Sequence, residues 1–141
     1  MERREEISDA LEQNPLIRMA VLFGSRARGD ARENSDYDIA IDLAEQATLL
    51  DLGEVIDTIT SITGTKADLV DLAGLSSRDP LLAYNIAHDG IPLVERTVGS
   101  FLAFKNDACT RYFDIQDFLA AQHAFLSQRI ESGSFGKARY A

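Results

Sequence analysis

From Leu16 to Phe23 the chain is almost continuously apolar, and the run stops at Gly24-Ser25. A short apolar stretch of β-forming character, closed by a turn signal, reads as a strand buried in a sheet. A second strand is predicted from Tyr37 to Leu43. Between them, Arg26 to Ser35 is charged and rich in turn formers, so it reads as a loop with a helical turn at its start. Two apolar strands joined through a short charged loop set the centre of the domain, and the remaining segments have to cover them.

Those segments carry clear start and stop signals. Residues 2 to 13 form a short amphipathic helix that Asn14-Pro15 ends. Residues 49 to 63 place Leu52, Val55, Ile56, Ile59 and Ile62 at helical spacing, with Gly64 as terminator, and this helix covers one face of the sheet. Lys66 to Leu72 alternates as a strand does. Asp79-Pro80 supplies an N-cap and a first-turn proline for a short helix through His88, stopped near Gly90. Ile91 to Val94 is a strand that Pro92 assigns to an edge. After Gly99 the pattern becomes one long helix, with Phe101, Phe104, Ala108, Tyr112, Ile115, Leu119, His123 and Leu126 in a stripe and Leu102, Cys109, Phe113 and Ala120 widening it. That stripe has to be buried, against the domain itself or against a partner, and both hold if the helix outruns the domain. The tail from Glu131 to Ala141 is expected to be flexible. The expected organisation is a core over residues 1–96, a helical extension over 97–130 that packs on core or partner, and the tail over 131–141.

The chain has 141 residues, 45% of them hydrophobic, which fits one domain with an ordinary core. Its apolar runs are too short to cross a bilayer, and the charged start at Met1 to Glu6 is no signal peptide, so a cytoplasmic protein without a membrane partner is expected. The single cysteine, Cys109, excludes an internal disulfide and a cysteine-rich zinc site. A net charge of −9 argues against long nucleic acid as a partner, because phosphate docking normally needs surplus Lys and Arg. ATP stays open, since magnesium and a few local cations offset its phosphates. An acidic surface also suits a basic protein partner.

Two features close together point to phosphate chemistry. Gly24 permits a tight turn after a buried strand, and Ser25 offers a hydroxyl and a backbone N–H at a helix start, where phosphate oxygens are well received. After ten intervening residues, Asp36 and Asp38 lie two apart in extended chain, so their side chains share a face roughly 6.5–7 Å apart. That spacing can clamp two Mg²⁺ ions, which sit about 3.5–4 Å apart in two-metal sites. Like charges beside Ile39, Ala40 and Ile41 would be costly without a cation. Ser35 orients a carboxylate or caps the turn. Asp68 and Asp71 are candidates for a third acid, and their odd separation puts them on opposite faces of one strand. Asp68 is preferred, as a ligand of one metal and as the base for an attacking hydroxyl. Arg28, ahead of Gly29, is the best triphosphate contact, ahead of Arg26 and Arg32. His88 and His123 have no second ligand at metal spacing, and Tyr37 alternates away from the aspartates.

Taken together, Gly24-Ser25-Arg26-Ala27-Arg28-Gly29, Ser35-Asp36-Tyr37-Asp38-Ile39-Ala40 and Asp68-Leu69-Val70-Asp71-Leu72 resemble the minimal nucleotidyltransferases of the DNA polymerase β superfamily over about residues 6 to 96. More narrowly the chain is similar to MNT-domain antitoxins encoded beside HEPN ribonuclease toxins. The resemblance implies an α/β (α+β) fold with a small mixed sheet packed by helices, here with a long C-terminal helix added. It also implies an antitoxin that uses ATP and Mg²⁺ to transfer AMP to a tyrosine of its cognate HEPN toxin. Gly24 and Ser25 would hold the phosphates, Asp36 and Asp38 the metals, and Asp68 would be the third acid. Two other functions are weighed against this one: a binding-only antitoxin that masks the toxin through the Phe101 to Leu126 stripe, and an enzyme that modifies a small molecule such as an aminoglycoside. The C-terminal helix is the natural surface for the toxin or for a second copy.

Overall fold

The computed structural model describes residues 2–131, so the tail expected to be flexible lies outside the described residues apart from its first residue. In chain order the elements are α1 (Glu2–Glu12), β1 (Ile17–Phe23), α2 (Ser25–Arg28), β2 (Tyr37–Leu43), α3 (Leu49–Thr63), β3 (Ala67–Asp71), α4 (Leu75–Arg78), α5 (Pro80–Asp89), β4 (Ile91–Glu95) and α6 (Ser100–Glu131). The four strands form one mixed sheet in the order β3-β2-β1-β4. β1 runs antiparallel to both its neighbours, and β2 and β3 are parallel. Pro92 sits in β4 at the sheet's edge, where its missing N–H interrupts no ladder.

The central strands are apolar on both faces because helices cover both. On one face Ile17, Ala20, Leu22, Tyr37, Ile39 and Ile41 pack against Ile7 and Leu11 of α1 and Val55 and Ile59 of α3. On the other, Met19, Val21, Phe23 and Ala40 meet Leu75 of α4, Ala83, Ile86 and Ala87 of α5, and Phe101 and Ala108 of α6. Each fully buried Ile or Val contributes about 1.5–3 kcal/mol relative to exposure. A register shift between Ile17 and Met19 turns Arg18 outward, which lets residues on either side of it point into different cores.

Local chemistry fixes the ends of the elements. Thr48 and Asp51 form a reciprocal capping box at the start of α3, and Gly64 ends that helix in the left-handed conformation. Asp79 caps α5, with Pro80 in the first turn. α4 is a single turn that the sequence pattern did not predict. It is built on Gly74, left-handed at φ 68°, and held by Arg78, whose guanidinium donates to the carbonyls of Asp71 and Ala73.

α6 divides in two. Phe101 and Ala108 are buried and Phe104 and Cys109 partly so, whereas Phe113, Phe118, Leu119, Phe125 and Ile130 are exposed. The helix packs chiefly on α5, with lesser contacts to α4 and β4. The domain therefore covers only the N-terminal part of α6, as far as Tyr112 and Phe113, whose rings meet Tyr84 of α5. Among the described residues no helix is long and apolar enough to cross a membrane.

Candidate active site

β1 ends at Phe23, which lies opposite Asp38 in the antiparallel pair. Gly24 follows at φ 73°, and a Cβ there would collide with the Asp38 carboxylate. The residue must therefore be glycine on two counts, backbone conformation and space. The chain then turns into α2, whose Ala27 packs into the core under α1 and α3 and whose end is capped by left-handed Gly29. On so short a helix, residues two apart point roughly 200° from each other. Arg26 accordingly lies over the Tyr37 ring, 4.4 Å from its centroid, while Arg28 faces the carboxylates.

Arg26 is a structural residue. Its guanidinium donates to the carbonyls of Glu33 (3.1 Å) and Ser35 (2.8 Å), tying α2 to the segment that leads into β2. The Ser35 hydroxyl accepts from the Arg32 N–H at 2.8 Å, so of the two roles open to it, the structure shows the cap of the turn. Asp36 stands immediately before β2 and Asp38 is its second residue. Tyr37, between them, is buried on the opposite face, as alternation requires.

The parallel register aligns Asp38 with Asp68 and Ile41 with Asp71. Asp68 thus stands at the head of its strand beside Asp38, in an exposed pair with Lys66 at 3.4 Å. Asp71 is elsewhere. Its carboxylate accepts from the Ala73 N–H, and it lines a cavity of about 560 Å³ between α3 and the far ends of β2 and β3, with Ile41, Leu43, Leu52 and Leu69. Of the candidate phosphate and metal residues only Asp71, the less favoured third acid, borders that cavity.

Burial, then the negative charges of Asp68 and Asp36, push the Asp38 carboxyl above its ordinary range, and Arg28 pulls it partly back. Among the described residues no three His, Cys, Asp or Glu side chains stand close enough together to enclose a metal as they are. The donor chemistry is still that of a hard divalent cation: carboxylates from the adjoining heads of β2 and β3, with Asp38 pushed up by burial and by its like-charged neighbours. Arg28 completes the rim. It pairs with Asp30 at 3.3 Å and, from α2 to the end of α5, with Asp89 at 3.5 Å. Asp89 also meets the His88 ring nitrogen at 2.8 Å, and His88 first, with Arg28, holds its carboxyl below the usual range. Sequence reasoning passed over Asp89. Its only signal there was an acid in the last turn of a helix, where the dipole disfavours one.

A half-buried aspartate behind a glycine turn, beside two more carboxylates and an arginine, lies within the stretch 5–98 that the polymerase beta nucleotidyltransferase family model matches, and the chain belongs to that family. The match ends just ahead of α6. Within the family the chain is similar to the protein adenylyltransferase MntA of Aphanizomenon flos-aquae, with 32% identity over 114 residues and 74% of each chain covered. In structure it is similar to a chain from a toxin–antitoxin crystallised with AMP-PNP (TM-score 0.64, 24% identity, 92% of this chain and 99% of that one). A complex of tri-AMPylated Shewanella oneidensis HEPN toxin with its MNT antitoxin also superposes (TM-score 0.57, 20% identity, 90% and 98%). At those identities the two structures speak for the fold, and coverage so high takes in much of α6 as well as the core.

Proposed function

We propose that this protein is an antitoxin that transfers AMP from ATP to a tyrosine hydroxyl of a cognate HEPN ribonuclease toxin and thereby inactivates it. The observation that carries the chemistry is the Asp38 carboxyl, raised by burial and by Asp68 and Asp36 at the mouth of a glycine turn. The adenylyltransferase relative and the structural likeness to toxin–antitoxin complexes support the acceptor.

In this reading Gly24 and Ser25 receive the phosphates at the start of α2, and Arg28 neutralises part of the triphosphate. Asp36, Asp38 and Asp68 would hold two Mg²⁺ ions, which when bound supply charge neutralisation at the attacking and leaving oxygens. Asp68, in an exposed pair with Lys66, takes the proton of the attacking hydroxyl. The hydroxyl oxygen forms a bond to the α-phosphorus as the bond from that phosphorus to the bridging oxygen breaks, and pyrophosphate leaves. Ser35 serves through the turn that presents Asp36. Site and partner surface are separate: residues 1–96 carry the chemistry, and the exposed part of α6 carries the apolar surface for the toxin. Such a protein works in the cytoplasm.

The test is incubation with labelled ATP, Mg²⁺ and the helical protein encoded alongside. Transfer of label to a tyrosine of that protein, abolished by Asp36→Asn with Asp38→Asn, is expected. An unlabelled partner that the double variant still neutralises would leave only masking through α6.

A further inference from the structure

We infer that Asp89 is a positioning residue that holds Arg28 in place to receive the triphosphate. This deepens the proposed function and rests on the reading of Arg28 as a triphosphate contact. Four observations carry it.

The first is the pairing itself. Arg28 Nη1 meets Asp89 Oδ2 at 3.5 Å while Arg28 Nε meets Asp30 at 3.3 Å, so two separate segments hold two sides of one guanidinium. The donors left over are fixed in direction by those two contacts. The second is how the carboxylate is shared. Oδ1 goes to the His88 ring nitrogen at 2.8 Å and Oδ2 to Arg28, so His88 sets the plane of the group that Arg28 leans on.

The third is the placement of Asp89, whose side chain is only 21% exposed. An acid in the last turn faces the negative end of the helix dipole, a placement that helix stability alone would select against. The fourth is Gly90. A Cβ there would run into the Ile86 carbonyl and Val21 Cγ1, so only glycine lets the end of α5 lie this close to β1. β1 leads straight into Gly24 and α2, and the close approach is what brings Asp89 within reach of Arg28.

A guanidinium held in advance loses less freedom when phosphate binds, so removing the hold weakens binding without changing the chemistry offered. The experiment measures affinity for AMP-PNP with Mg²⁺ by calorimetry on the full chain, for Asp89→Ala, Asp89→Asn, Arg28→Ala and the Arg28→Ala/Asp89→Ala pair. Thermal melts check that each variant folds. Asp89→Ala is expected to weaken binding about tenfold. Asp89→Asn, which keeps the shape and one hydrogen bond, should weaken it less. Once Arg28 is absent, Asp89→Ala should add nothing, a non-additivity that a merely structural aspartate would not show. Full additivity in the double variant overturns the inference, and so does tighter binding by Asp89→Ala, which would mean the pair restrains Arg28 away from phosphate. If Arg28→Ala itself leaves affinity unchanged, the reading of Arg28 falls and takes the inference with it. If Arg28→Ala weakens binding and Asp89→Ala does not, only the inference falls.

Discussion

At the head of β2 the molecule gathers like charges around a half-buried carboxyl, whereas along the outer part of α6 it leaves Phe113, Phe118, Phe125 and Ile130 in solvent. Both arrangements cost the isolated chain something, and they call for different remedies. The strand head needs positive charge close to three carboxylates, which small ions supply. The helix needs apolar cover over residues 113–130, roughly 27 Å at 1.5 Å per residue, which only another protein surface supplies. In the proposed function one region is unfavourable because it does chemistry, and the other because it would be one half of an interface.

The sharpest way to separate them is Asp38→Asn. Nucleotidyl transfer should fall on the order of 10³-fold, the loss expected when a metal ligand worth several kcal/mol is removed. The fold should not weaken. The folded carboxyl titrates above its unfolded value, so its ionisation opposes folding, and stability is gained as pH falls through that raised value and lost again as pH rises. The amide removes this dependence. Thermal melts across the acid range should show the variant at least as stable as the parent near neutral pH and flatter with pH, while Mg²⁺ raises the melting temperature of the parent alone. A variant that melts well below the parent at neutral pH would contradict the repulsion argument.

Gly24→Ala probes the same rim through the backbone. The new methyl meets the Asp38 carboxylate in a left-handed position, so it displaces the one acid that the turn is shaped around. Transfer should drop about a hundredfold, with a stability loss of about 1–3 kcal/mol by denaturant titration. Gly29→Ala, also left-handed but with open space around it, should cost stability and spare most of the activity. Equal loss of activity in the two would show that Gly24 matters only as a turn.

The difference between the regions also explains what could be read from the sequence. β2 and α3 fall on the predicted residues and β1 and β3 within a residue of them, because apolar runs and capping signals are local. Strand alternation showed only that Asp68 and Asp71 cannot share a face, with Asp68 preferred; that Asp68 lies opposite Asp38 is set by the parallel register, which the local pattern does not contain. The stripe from Phe101 to Leu126 was legible as well, but what covers it was not, since periodicity shows that a face is apolar and nothing about where the domain ends. α4 escaped because a single turn has no period. Asp89 escaped because its partner, Arg28, is 61 residues away and meets it only through the close packing at Gly90.

The smallest effect on the fold tests α6 along its own length. Phe101 is buried against α5 and stacked on Phe104 with centroids 6.5 Å apart, so Phe101→Ala removes a core side chain and should cost about 3–5 kcal/mol. Phe118 is 63% exposed, and Phe118→Ser should change stability by no more than about 0.5 kcal/mol. The same serine placed where a partner packs loses a large apolar contact in the complex, so neutralisation of the toxin should fail in a protein whose melt is unchanged. The two substitutions lie 17 residues apart on one continuous helix. Were Phe118→Ser to melt early, the outer helix would be packing on its own domain. Were it to melt normally and still neutralise, the exposed stripe would not be where the toxin docks.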